Sequence, residues 1–174
     1  MGLRLRRAGY AAQLKLFLWL LMGVAWLDRT LQPKRPFPRN PEQLKQRQDW
    51  LVATLLAAGA LPEGAQVQNI DIEPYKIGEA FRSLVARVRV HHEVPGGETE
   101  VLRVIAKFAP QARSLRDHAV YILQGNHSKE TGVYARLAAD PHVAAPPTWF
   151  AQCNPLSGHF CILTPFHPSS FSLS

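Results

Sequence analysis

Three runs of alternating apolar and polar residues lie in the middle of this 174-residue chain. They cover residues 67–77, 83–91 and 100–108, and a Pro-Gly-Gly turn at 95–97 separates the second run from the third. Alternation places every second side chain on the same face of a strand, so each run predicts a strand with one buried face. Because the connections are short, we expect the three strands to form an antiparallel meander.

A helical pattern precedes the strands. Asn40 is a favoured N-cap residue, Pro41 suits the first helical position, and Gln43 stands where a capping box places its third residue. Gly59 is expected to end the helix. The apolar residues in between recur on one helical face, and they are Leu44, Leu51, Leu55 and Ala58.

The pattern after the third strand predicts two more helices and a hairpin. Residues 113–123 and 128–139 have helical periodicity, whereas 149–152 and 160–163 alternate around a turn at 154–158. We therefore predict an α+β fold with a five-stranded antiparallel sheet and helices inserted after the third strand. A hydrophobic N-terminal helix is expected to precede it.

That N-terminal helix belongs to a basic leader. Residues 11–27 are apolar except for Gln13 and Lys15, and the stretch 17–27 is short for a bilayer span of about 20 residues. Three interpretations stay open: a membrane anchor or signal-anchor, an organelle-targeting segment, and a helix packed on the domain. A proline-rich linker ends the leader, so we expect boundaries of 1–39 for leader and linker and 40–174 for the domain. Basic residues flank the apolar stretch on both sides: Arg4, Arg6, Arg7, Arg29, Lys34, Arg35 and Arg39.

The charge distribution narrows the class of partner. The net charge is +7, but residues 1–48 hold ten of the 20 Lys and Arg and two of the 13 Asp and Glu. The excess therefore lies in the leader and the domain is near neutral. This favours targeting or an anionic lipid surface over nucleic acid, and we expect no nucleic-acid partner. With 47% hydrophobic residues, the chain is expected to fold.

Two cysteines and scattered histidines predict neither a disulfide nor a metal site. If a hairpin turns at 154–158, Cys161 falls opposite Ala151 rather than Cys153, which disfavours a disulfide. Two cysteines without a second ligand pair do not form a zinc site. We expect the domain to occupy a reducing compartment, with the whole chain either membrane-associated or cytoplasmic.

The turn between the first two strands is the first candidate binding element. Gly78 allows close approach of a backbone to a phosphate, and Ser83 offers a hydroxyl or an amide where the chain re-enters the sheet. A hairpin turn that binds nothing has the same composition. This segment alone therefore leaves both interpretations open.

Lys107 and Glu130 form the second candidate. In the third strand, Lys107 lies on the face opposite the apolar residues Val104, Ala106 and Phe108. Glu130 shares its helical face with Tyr134, so its carboxylate falls on the packing side of the helix and needs a partner there. We predict an ion pair between the two. The alternative is that Lys107 is solvated and Glu130 frays at the helix start.

The order of these features resembles a known family. Residues 42–165 are similar to the N-terminal lobe of the aminoglycoside phosphotransferase-like small-molecule kinases, in particular the branch of ecdysteroid kinase-like and choline kinase-related proteins. The acidic pair that this family carries in the segment closing the lobe is absent from Ile162-Leu163-Thr164-Pro165-Phe166. The runs that carry the resemblance are Trp50-Leu51-Val52-Ala53-Thr54-Leu55-Leu56, Ile77-Gly78-Glu79-Ala80-Phe81-Arg82-Ser83, Arg87-Val88, Ala106-Lys107-Phe108, Lys129-Glu130-Thr131-Gly132-Val133-Tyr134 and Pro146-Pro147.

The resemblance implies a nucleotide site, of which this sequence would supply the small-lobe half. ATP with magnesium would be the cofactor, a small-molecule hydroxyl the acceptor, and Gly78, Ser83, Lys107 and Glu130 the nucleotide-binding residues. No His-x-Asp motif and no Asp-Phe-Gly motif follows, so catalytic and metal-binding residues are expected in a large lobe that this sequence lacks. We expect a truncated, inactive small lobe that binds nucleotide weakly. The alternative is a non-enzymatic interaction module tethered to a membrane through residues 11–27.

Overall fold

The computed structural model describes residues 36–75, 83–94, 96–110, 125–139, 147–154 and 158–166, together with 13, 15–24, 26–27 and 114. The five strands in this part form one antiparallel sheet in the order β1-β2-β3-β5-β4. The α+β class and the five-stranded antiparallel sheet are thereby confirmed. The elements, in chain order, are α1 (Pro41–Gln46), α2 (Gln48–Ala57), β1 (Gln66–Pro74), β2 (Leu84–Glu93), β3 (Thr99–Phe108), α3 (Asn126–Ala139), β4 (Phe150–Cys153) and β5 (Phe160–Pro165).

The first helical segment begins as predicted but is divided in two. Asn40 caps α1, since its side-chain oxygen accepts a hydrogen bond from the N–H of Gln43 at 2.8 Å. The Gln43 side chain accepts in turn from the N–H of Arg39 at 3.0 Å. Arg47 leaves the helical conformation, with φ −123° and ψ 46°, and separates α1 from α2. The prediction of a single helix in this segment is therefore wrong. Arginine is a good helix former, so the residue type at position 47 does not indicate the break.

The main core lies between one face of the sheet and the first two helices. Strands β2 and β3 each contribute every second residue to it, as the alternation predicted. Both helices add leucines that are fully buried. The residues of this core with no more than 1% exposure are Leu44, Leu51, Leu55, Ala86, Val88, Val90, Val104, Ala106, Phe108, Cys161 and Leu163.

Helix α3 covers part of the opposite face. Tyr134 packs there with Ala109, Phe160 and Ile162, near strands β4 and β5. The predicted helix at 128–139 corresponds to Asn126–Ala139, while the one predicted at 113–123 falls outside the described ranges apart from Ser114. On strands β1 to β3, the same face of the sheet carries charged side chains that pair across the strands. We call this surface the charged face, and its residues are Asp71, Glu73, Arg87, Arg89 and Arg103.

The hairpin of β4 and β5 differs from the prediction by one residue. Cys161 pairs with Gln152, not with Ala151, because the N–H of Asn154 bonds the carbonyl of His159 at 2.8 Å and the turn extends to that residue. Cys161 lies in the main core, whereas Cys153 packs beside Tyr134 on the other face. Both cysteines are free thiols.

The described residues of the leader, which are 13, 15–24 and 26–27, are helical. Large apolar side chains are exposed there, among them Trp19 at 71% and Leu16 at 64%. In the described part of the chain, no helix combines the length and the apolar character that crossing a bilayer requires.

Candidate functional site

An ion pair joins the third strand to the helix that follows it. The Nζ atom of Lys107 donates a hydrogen bond to Oε1 of Glu130. The two side chains are 23% and 28% exposed, so the pair is partly withdrawn from water but still open to a ligand. The contact predicted from the two periodicities is present.

The local structure explains why these side chains meet. Val104, Ala106 and Phe108 are buried in the core, and the pleat of the strand directs Lys107 to the opposite face. Glu130 lies one helical turn before Tyr134, which packs on that same face. Packing of α3 through Tyr134 therefore brings the Glu130 carboxylate to the lysine. The alternative, with Lys107 in solvent and Glu130 frayed, is wrong.

The hairpin that contains the predicted phosphate loop ends beside this pair. Val85 lies directly opposite Lys107 on the neighbouring strand, and its carbonyl accepts a hydrogen bond from the N–H of Tyr75 at 2.8 Å. Ser83 is half-buried just before β2, two residues from Val85. Gly78 lies outside the described residues. The pairing of β2 with β3 thus brings Ser83 to the same end of the sheet as Lys107. The roles of Ser83 and Gly78 in binding stay predictions.

The chemistry of this end of the sheet fits a phosphate group better than a metal ion. The Lys107 ammonium has three donors, and Glu130 accepts one of them, which leaves donors for a phosphate oxygen. Within the described ranges, no group of three His, Cys, Asp or Glu side chains is arranged to hold a metal ion. The donors left on Lys107 suit the oxygens of a phosphate.

A second group of polar residues, which the sequence analysis did not single out, lies on the charged face. Arg87 stacks on Tyr75, with its guanidinium carbon 3.8 Å from the ring centroid, and on Phe166 at 5.0 Å. Phe166 is held beside β3 because its N–H donates to the carbonyl of Arg103 at 3.0 Å. The sequence signal that could have indicated this group is the recurrence of arginine, at Arg87, Arg89 and Arg103, on the polar side of two alternating runs.

Comparison of the chain with family models, with curated proteins and with solved structures gives no match. The fold class and the ion pair are therefore established from the structure itself.

Proposed function

We propose that this chain is the ATP-binding small lobe of a small-molecule phosphotransferase of the aminoglycoside phosphotransferase-like kind. The observation that carries the proposal is the ion pair between Lys107 and Glu130, which joins a sheet strand to the helix inserted after it. In kinase-type sites, a strand lysine held by a helix glutamate contacts the nucleotide phosphates. The strand order and the position of α3 support the same interpretation.

Each residue would have a distinct part in nucleotide binding. Lys107 would donate to phosphate oxygens, and Glu130 would hold the ammonium group in position, since a free lysine side chain loses rotamer entropy on binding. Ser83 and Gly78 would offer backbone or hydroxyl donors from the hairpin. The nucleotide, when bound with magnesium, supplies the phosphoryl group that a kinase transfers to an acceptor hydroxyl.

These residues account for binding and not for transfer. Phosphoryl transfer requires metal ligands and a group that orients the acceptor hydroxyl. The sequence contains neither a His-x-Asp nor an Asp-Phe-Gly motif, and the described residues contain no metal-binding cluster. A binding site with one wall also encloses little of its ligand. We expect weak nucleotide binding by these 174 residues and no transferase activity.

The test is a nuclear magnetic resonance titration of the full chain with ATP and magnesium, comparing Lys107→Ala with Lys129→Ala. Lys129 is an exposed lysine on α3, so its substitution makes the same change of charge next to Glu130. We expect saturable binding with a Kd of about 1 mM, lost in Lys107→Ala and retained in Lys129→Ala. No saturable binding, or equal loss in both variants, would count against a nucleotide site at the ion pair. Low-micromolar binding that depends on Lys107 would show that the small lobe binds nucleotide strongly by itself.

A second candidate is a membrane-tethered interaction module without catalytic activity. The observation that favours it is the exposure of large apolar side chains in the helical part of the leader. Apolar side chains beside a basic segment bind anionic bilayers through burial and charge attraction together. The exposed side chains are Leu16, Phe17, Trp19, Leu20, Val24, Trp26 and Leu27.

Flotation of the full chain with vesicles of anionic phospholipid tests this candidate. We expect the protein to float with the vesicles, and Trp19→Glu to reduce the bound fraction. Val101→Glu is the matched control, because Val101 is an apolar residue that is 41% exposed on β3 rather than in the leader. Protein that stays in the soluble fraction, or that responds equally to both variants, would contradict membrane tethering.

A further inference from the structure

A small pocket opens on the charged face, apart from the ion pair. It encloses about 260 Å³, and its walls include Glu73, Arg87, Arg89, Arg103 and Phe166. Arg103 and Lys107 share a strand face but are four residues apart, a separation of about 13 Å along the strand. The pocket is therefore a separate location from the Lys107–Glu130 pair.

The pocket has an excess of positive charge. Arg89 and Arg103 lie directly opposite each other on β2 and β3, an arrangement that destabilises a sheet when nothing compensates it. Arg89 is compensated, because it pairs with Glu73 and lies 3.8 Å from Asp71. Arg103 has no carboxylate partner among the described residues. A bound anion would supply the missing negative charge.

Arg87 adds a donor that is already oriented. Stacking on Tyr75 and Phe166 holds its guanidinium plane, which lowers the entropy lost when a ligand binds. The Nε atom of Arg87 is buried and donates to no acceptor within the part of the chain described. A buried donor without an acceptor is unfavourable, so an anion whose oxygen reaches this atom would stabilise the Arg87 side chain.

We infer that this pocket is a binding site for a small phosphate-bearing molecule. Guanidinium groups match the oxygens of a phosphate in paired hydrogen bonds, and a dianion suits the excess charge of Arg87 and Arg103 better than a single carboxylate does. The volume admits a phosphate group with a small substituent, and Phe166 offers an apolar wall for that substituent. The inference stands independently of nucleotide binding at Lys107.

The experiment is a resonance titration of the full chain with inorganic phosphate, with sodium chloride added to keep the ionic strength constant. We expect saturable shifts at residues around the pocket, and an affinity lowered about tenfold in Arg103→Gln, since the substitution removes a hydrogen bond between charged groups. Arg103 is exposed, so this substitution leaves the core intact. Arg87→Met, which keeps an apolar side chain between the two rings, is expected to have a similar effect.

Two further variants make the result decisive. Arg136→Gln removes an arginine from the last turn of α3, away from the pocket, and should leave phosphate affinity unchanged. Lys107→Met reports whether the anion binds at the ion pair instead of the pocket. Equal weakening in Arg103→Gln and Arg136→Gln would show a non-specific charge effect and overturn the inference. Loss of phosphate binding in Lys107→Met alone would place the anion at the ion pair and overturn it as well.

Discussion

Lys107 on β3 and Glu130 on α3 form an ion pair across the face of the sheet that lies away from the main core. Tyr134, one turn further along α3, packs on the same face and keeps the helix in place. The pair therefore has a structural consequence whatever ligand it serves. Charge and packing can be tested separately here, because Glu130 forms the ion pair and Tyr134 makes the packing contact.

Glu130→Gln should lower the free energy of unfolding by about 1 kcal/mol, because the substitution removes a partly buried charge-assisted hydrogen bond. Urea denaturation of the full chain measures the change. Glu63→Gln, at an exposed position, is the control and should change it by less than about 0.5 kcal/mol. Combining Glu130→Gln with Lys107→Met should give less than the sum of the single effects, whereas strict additivity would show that the two side chains do not interact.

Val104→Ala should destabilise the protein far more than Val101→Ala, although both substitutions remove the same atoms from β3. Val104 is fully buried in the main core and Val101 is 41% exposed. We expect about 2 kcal/mol for the first, from lost burial and the cavity left behind, and less than about 0.5 kcal/mol for the second. Similar midpoints for the two variants in urea would contradict the assignment of the core face.

Asn40→Ala should cost about 1 kcal/mol of stability, because the first turn of α1 loses the acceptor for the Gln43 N–H. Asn40→Asp retains an oxygen at that position and should preserve most of the stability. Thermal unfolding followed by circular dichroism compares the three proteins. Equal loss in the alanine and aspartate variants would show that the side-chain oxygen is not what stabilises the start of α1.

Cys161 should resist thiol reagents that modify Cys153. Burial raises the pKa of the Cys161 thiol well above its ordinary value, so the reactive thiolate does not form in the folded protein. Cys153 is half-buried. Iodoacetamide followed by mass spectrometry at pH 8 should therefore label Cys153 first and Cys161 only in urea. Equal labelling rates without denaturant would contradict this placement.

The same shift predicts a loss of stability at alkaline pH. A thiol whose pKa is raised by folding stabilises the native state fully below its ordinary value of about 8.5 and loses that contribution as the pH rises beyond it. The unfolding free energy should fall by up to about 1.4 kcal/mol per pH unit above that point. Cys161→Ala lacks the titrating group, so the fall in its unfolding free energy between pH 8.5 and 9.5 is expected to be smaller by about 1 kcal/mol; an unchanged fall would contradict the linkage.

Local patterns in the sequence were sufficient for much of the fold and for one part of the site. Alternation identified the core face of β2 and β3, because a strand turns every second side chain to the same side. Helical periodicity placed Glu130 with Tyr134, and the two observations together predicted the contact with Lys107. These predictions succeeded because each depends on residues that are close together in the chain.

Tertiary packing decided the features that no local pattern encodes. The break at Arg47 separates two helices that both bury leucines against the sheet, and the turn up to His159 shifts the register of Cys161. Arg87 on β2 meets Phe166 only because β5 pairs with β3, which places Phe166 beside Arg103 of β3 and within reach of the next strand. Such contacts depend on which distant strands become neighbours, and that choice reflects the burial of the whole sheet rather than the residues on either side of any one position.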